Sequence, residues 1–148
     1  MNRRLKTRQA LLRLARFREL AATQRLAESL AVRNEAQAAH QVEQGEYAAL
    51  SARYAQAVTP GRTLHLARYE VIGTLRRSGE IRLESAMARV EETSAVVEAA
   101  STRLIDASER RSTHEERLAK LEDQLRAEAT AREQSQFLET WMLTRSKP

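Results

Sequence analysis

The sequence predicts an all-α protein: one long antiparallel two-helix coiled-coil hairpin that occupies residues 1–148 as a single unit. Three observations lead to this fold class: a shortage of turn-forming residues, one cluster of turn signals, and a seven-residue apolar repeat. The chain has only four Gly and two Pro, whereas charged residues make up 30% and aromatic residues 4%. Its apolar residues are mostly Ala and Leu, a composition typical of long helices and coiled coils.

The turn signals lie at residues 58–61, Val-Thr-Pro-Gly. In a tight turn, Pro60 fixes φ at the second position and Gly61 accepts the positive φ of the third. Alternatively, Thr59 caps a new helix whose first residue is Pro60. In both cases a helix stops here, because Pro has no backbone N–H to donate. We therefore predict a helix at about 3–57, a turn at about 58–63 and a helix at about 64–145.

The second helix carries a heptad repeat, which predicts a left-handed coiled coil. The predicted seam consists of Leu83, Val90, Val97, Leu104, Arg111, Leu118 and Leu125. Mostly small residues follow three positions later, at Ala86, Thr93, Ala100, Ala107, His114, Leu121 and Glu128. Arg111 and His114 interrupt the apolar repeat together. They form either a polar layer that fixes the register or a contact with a partner.

The first helix has two apolar stripes on different faces. One consists of Leu5, Leu12, Ala15, Ala22 and Leu26, and the other of Leu20, Ala27, Ala31, Ala38, Val42 and Ala49. Two stripes suggest two partners, the second helix and another protein, or simply an alanine-rich helix with ill-defined faces. A turn near residue 60 places Leu5 opposite Glu115, and the C-terminal stretch through Trp141 then extends past the first helix.

The sequence offers no arrangement of catalytic residues. His40, His65 and His114 are scattered, and the helix with His114 lacks the second His of a zinc motif. The segment Gly73–Gly79 is followed by Glu80, where a phosphate-binding Walker loop requires Lys. There is no Cys, and no apolar run approaches the roughly 18 residues of a membrane span. We expect a non-enzymatic cytoplasmic protein with no cofactor, metal ion or small-molecule substrate.

The net charge of +5 is concentrated at the start of the chain. Residues 1–25 contain eight basic residues and one acidic residue, a net charge of +7, so residues 26–148 carry −2. Such a segment suits nucleic acid, an anionic membrane, an acidic protein cavity or simple solubility. Because Leu11, Leu14 and Phe17 are interleaved with the charges, it fits burial against protein better than a phosphate-facing stripe. We do not expect nucleic acid as the partner.

The aromatic residues fall into two groups. Tyr47 and Tyr54 are seven residues apart and share a helix face, close to the turn. Tyr69, Ile72 and Leu75 form a short stripe on the opposing helix near the same end. Large aromatic side chains are good interface anchors, but these tyrosines can equally cap the end of the hairpin core. Toward the chain ends lie Phe17, Phe137 and Trp141.

This layout resembles the flagellar FliJ and type III secretion YscO-type stalk proteins over nearly the whole chain. The shared features are the length, a basic helical N-terminus, a turn about two-fifths of the way along and a longer second helix. The segments that resemble the family most are Thr59-Pro60-Gly61-Arg62-Thr63, Tyr69-Glu70-Val71-Ile72-Gly73-Thr74-Leu75 and Glu133-Gln134-Ser135-Gln136-Phe137-Leu138-Glu139.

The resemblance implies a central stalk of a bacterial type III secretion ATPase complex at the inner membrane. Its partners would be a hexameric export ATPase, the membrane export gate and secretion chaperones. The expected ATPase-binding residues are Arg8, Arg13, Arg16, Phe17, Phe137 and Trp141. The expected gate-binding residues are Tyr47, Tyr54, Tyr69, Ile72 and Leu75. The alternatives are a nucleic-acid-binding coiled coil with a basic N-terminal arm and a purely structural tether.

Overall fold

The fold consists of two long helices packed against each other, α1 (Arg3–Ala57) and α2 (Leu66–Arg145). The computed structural model describes residues 2–59, 61, 63 and 65–146, and this part of the chain contains no β-strand. The predicted all-α two-helix hairpin is therefore confirmed. The second helix begins at Leu66; Leu64, where we expected it to begin, lies outside the described residues.

The connection between the helices begins with a hydrogen bond back to the last turn of α1. The Thr59 hydroxyl donates a hydrogen bond to the Ala55 carbonyl at 2.9 Å, and Gly61 has the positive φ, 90°, that the turn prediction requires. Because Thr59 bonds back into α1 and α2 begins only at Leu66, Thr59 does not cap the second helix. That alternative was wrong. Pro60 lies outside the described residues.

The two helices form two compact units, each containing part of α1 and part of α2. The first unit comprises Met1–Ala22 with Leu104–Pro148, and the second comprises Thr23–Arg103. In the first unit, Leu12 and Ala15 of α1 are the most buried residues, each 6% exposed. The α2 residues that pack in this unit are half-buried: Leu104, Ala107, Arg111, His114, Leu118, Leu121 and Leu125.

The second unit is packed with small and polar side chains. Thr93 is only 3% exposed, and Ala36, Ala100 and Ser29 are also buried. The Thr93 and Ser29 hydroxyls donate to carbonyls of their own helices, so their burial leaves no unpaired donor. The predicted seam residues of this unit, Leu83, Val90 and Val97, are all half-buried.

Gly79 allows a close approach of the helices in the second unit. It is buried, and a Cβ atom added to it would lie 3.4 Å from Leu50 Cδ1 and 3.7 Å from Tyr47 Cδ2. The buried Gly79 is therefore a position of close contact between the helices. A Cβ atom at Gly73 would lie 4.0 Å from the Tyr54 ring.

The helix register differs from the one we expected. Glu115 forms an ion pair with Arg16 at 3.3 Å, so it lies about three helical turns away from Leu5, its expected partner. That expectation was wrong. One cause is the connection, which runs from the end of α1 at Ala57 to Leu66 and is therefore not centred on residue 60.

Candidate protein-binding surfaces

The end of α2 is exposed to solvent and is not covered by any other described part of the chain. Every residue from 126 to 146, here called the C-terminal segment, is exposed, although the helix continues to Arg145. Phe137, Leu138, Trp141 and Met142 lie within one and a half turns on one side of the helix, with exposed fractions of 69%, 52%, 48% and 61%. The Arg145 guanidinium lies over the Trp141 ring, 4.8 Å from its centroid. Exposed apolar clusters are a common feature of interaction sites, so this cluster is a candidate protein-binding surface.

The heptad repeat explains why the C-terminal segment is exposed. After Leu125, the two seam rows of α2 continue with mostly polar residues: Glu128, Arg132, Ser135, Glu139 and Met142. The apolar seam that packs α2 against α1 therefore ends at Leu125. Phe137, Leu138 and Trp141 lie on a different side of the helix from that seam, whereas Met142 lies on one of its rows.

The basic start of α1 presents both charge and apolar surface. Arg13 is exposed, and Phe17 and Leu20 are 68% and 67% exposed. Arg8 is half-buried, and Arg16 contacts Glu115 of α2. Of the four α1 residues expected to bind the ATPase, Arg13 and Phe17 are therefore the freest to contact another molecule.

Arg111 joins the two helices through a network of charged groups. It contacts Glu19 of α1 and, at 2.8 Å, Glu115 of α2, which also accepts from Arg16. Glu115 and Glu19 raise the pKa of Arg111, and the pKa of Glu115 is lowered, chiefly by Arg111 and then by Arg16. Arg111 stood out in the sequence, but its partners did not, because identifying them requires the correct helix register. Of these four groups, only Arg111 belongs to the layer of Arg111 and His114 that we interpreted as polar or as a partner contact, and the four charged groups pair with one another here.

The tyrosines near the turn form a cluster with Arg76. The hydroxyls of Tyr54 and Tyr69 are hydrogen-bonded at 2.7 Å, and their ring centroids are 5.3 Å apart. This hydrogen bond raises the pKa of Tyr69. The Arg76 guanidinium lies 4.7 Å from the Tyr54 centroid, and hydrogen bonding with Tyr47 is the main cause of its raised pKa. Arg76 was missed, although its position seven residues before Leu83 places it on the same seam row.

Near the turn, the exposed apolar surface comes from residues other than the tyrosines. Tyr47, Tyr54 and Tyr69 are half-buried, as is Ile72, whereas Leu75 is 46% exposed. Beside Leu75, Val71 is 59% exposed and was not singled out from the sequence. The structure therefore brings Tyr54 and Tyr69 into direct contact, connects Tyr47 to them through Arg76, and leaves Leu75 and Val71 exposed to solvent.

The described residues contain no group of three or more His, Cys, Asp and Glu side chains that could hold a metal ion. In the same part of the chain, neither helix has an apolar stretch long enough to cross a membrane. Comparison with protein-family models, curated proteins and solved structures gives no significant match.

Proposed function

We propose that this protein is the non-enzymatic central stalk of a bacterial type III secretion export ATPase, linking the ATPase hexamer to the export gate at the cytoplasmic face of the inner membrane. The observation that carries the proposal is the C-terminal segment, a helix with exposed Phe137 and Trp141 that no other described residues cover. The resemblance to FliJ-like and YscO-like proteins supplies the identity of the partners.

The chemistry of the C-terminal segment supports enclosure by another protein. Most helical stability in proteins comes from packing of an apolar face, so a partner that covers the apolar side of this segment would also stabilise the helix. Phe137 and Trp141 have the size and shape of interface anchors. Arg13 and the other basic residues of α1 would attract acidic loops of a ring-shaped partner and accelerate association.

The test measures affinity for the purified export ATPase by calorimetric titration. Phe137→Ser with Trp141→Ser should weaken binding at least tenfold, which corresponds to about 1.4 kcal/mol. The matched control is Ile81→Ser with Met87→Ser, because these side chains are equally exposed, at 68% and 48%. The control should bind within twofold of the unsubstituted chain. Equal binding by both variants, with helical content preserved, would remove the C-terminal segment from the interface.

The gate contact is tested with the exposed pair near the turn. Val71→Ser with Leu75→Ser should abolish binding to the export gate and leave ATPase affinity unchanged. Val96→Ser with Ile105→Ser, exposed 55% and 56% on the same helix, is the control. If the variant near the turn loses ATPase binding while the Phe137 and Trp141 variant keeps it, the two ends are assigned the wrong way round.

A nucleic-acid-binding coiled coil is the second candidate, favoured by the basic residues of the first unit that have no carboxylate partner. Its signature would be sub-micromolar, sequence-dependent binding to DNA or RNA at physiological salt. Weak binding that disappears as salt rises is expected of any segment with a charge of +7 and does not distinguish the two.

A further inference from the structure

Basic residues from both helices converge on one cleft at the start of α1. The cleft has a volume of about 980 Å³ and lies entirely within the first unit. Its five basic residues are Arg3, Arg4, Arg8, Arg117 and Lys120. None of its described lining residues is acidic, and Leu11 and Leu121 supply apolar surface. The sequence places the positive charge in residues 1–25; the contribution of α2 appears only once the helices are paired.

These basic groups differ from the others in the same unit. Arg16 and Arg111 are paired with carboxylates, whereas none of the five cleft residues forms an ion pair within the described part of the chain. The first turn of α1 contains no acidic residue, so the partial positive charge of the helix N-terminus adds to theirs. Like charges that line one cleft repel one another, and a bound anion would relieve that repulsion.

We propose that this cleft binds a compact polyphosphate, such as inorganic triphosphate or the phosphate chain of a nucleoside triphosphate. Guanidinium groups bind phosphate oxygens in pairs, and four of the five cleft cations are arginines. A polyphosphate concentrates several negative charges within a few ångströms, which matches five cations around one cleft. An acidic peptide spreads its charges along about 3.3 Å of chain per residue and matches less well.

The shape of the site also favours a small ligand. The cations border a space between two helices; because Arg3, Arg4, Arg117 and Lys120 are themselves exposed, vesicles and duplex DNA are included as competing ligands in the test. Binding is a property of the isolated chain, so its presence or absence is independent of the proposed ATPase and gate contacts.

The experiment is a calorimetric titration of the full chain with sodium triphosphate at physiological salt, and with orthophosphate and ATP as comparisons. We expect triphosphate and ATP to bind, and orthophosphate to bind at least tenfold more weakly. Arg117→Gln with Lys120→Gln, on α2, should lower triphosphate affinity at least tenfold. Arg126→Gln with Arg132→Gln removes the same charge from the exposed C-terminal segment and should change affinity less than twofold.

Three results would overturn the proposal. The first is the absence of triphosphate binding by the folded, unsubstituted chain. The second is an equal loss of affinity in both glutamine variants, which would reveal a general charge effect and no site. The third is binding to phosphatidylserine vesicles or duplex DNA without binding to triphosphate, which would indicate an extended basic surface. Circular dichroism of each variant keeps these outcomes separate from loss of folding.

Discussion

Leucine residues at the start of α1 provide a graded test of how the helices pack. Leu12, Leu11 and Leu20 lie on one helix within the first unit but are 6%, 36% and 67% exposed. Because the residue type and the helix are the same, replacing each by Ala changes helix propensity equally. The differences in stability among the three variants therefore report burial alone.

The expected magnitudes follow from the exposed fractions. Leu→Ala removes about three methylene equivalents, each contributing about 0.8 kcal/mol when buried. Leu12→Ala should therefore cost about 2–3 kcal/mol; because the interface of two helices is narrow, water or side-chain movement should keep the cavity penalty small. Leu11→Ala should cost about 1–2 kcal/mol, and Leu20→Ala less than about 1 kcal/mol.

The assay is urea unfolding followed by far-ultraviolet circular dichroism, with the free energy of unfolding extrapolated to water. The predicted order of loss is Leu12, then Leu11, then Leu20. A loss for Leu20→Ala as large as that for Leu12→Ala would refute the register. If that loss grew with protein concentration, Leu20 would instead be buried between copies of the chain.

Three further substitutions test individual contacts. The pKa of Glu115 is lowered from about 4.5, so its stabilising contribution is complete above that pH and is lost as the pH falls through the lower pKa of the folded state. Glu115→Gln should therefore reduce the loss of stability at acid pH, the acid limb of the stability curve. Tyr54→Phe removes the hydrogen bond that raises the pKa of Tyr69, so ultraviolet titration should show Tyr69 ionising at lower pH. Gly79→Ala should stabilise the protein by about 0.5–1 kcal/mol in urea, because helix propensity improves and the added Cβ makes only ordinary contacts.

Each of these predictions is accompanied by a control variant or by a second expected change. Glu116→Gln, beside the network but exposed, should leave the acid limb unchanged. The Tyr69 contribution to stability is complete below its unfolded pKa of about 10 and is lost as pH rises through the folded value, so Tyr54→Phe should weaken the fold at neutral pH. Gly45→Ala, where an added Cβ meets nothing within 4 Å, should stabilise by a similar amount. A Gly79→Ala variant less stable than the parent would mean that the helices are packed more tightly there.

The fold class was predictable from the sequence because α2 combines a long heptad repeat with a single break before it. α1 was harder to interpret beyond Leu26. Its residues at heptad spacing that are buried or half-buried in the second unit are mainly small or polar: Ser29, Arg33, Ala36, His40, Glu43 and Tyr47. An apolar periodicity search cannot find a face made of such residues. The stripe it found instead, from Ala27 to Ala49, is exposed at every position.

The candidate surfaces were partly predictable for the same reason. Phe137 and Trp141 stood out because large aromatics are rare in this chain, and both are exposed. The partners of Arg111 and the α2 side of the basic cleft were not predictable, because each depends on which residues face one another across the hairpin. A turn centred on residue 60 misplaces that register by about three helical turns at Glu115.

The most direct test of the stalk account is a site-specific photocrosslink from the C-terminal segment in secreting cells. A photoreactive amino acid replaces Leu138, which is 52% exposed beside Phe137 and Trp141, and the same residue at Ile105, 56% exposed, serves as the control. If the chain is the stalk, position 138 should form an adduct with the export ATPase and position 105 should form none. An adduct from position 138 only with other copies of this chain, or with nucleic acid, would contradict it.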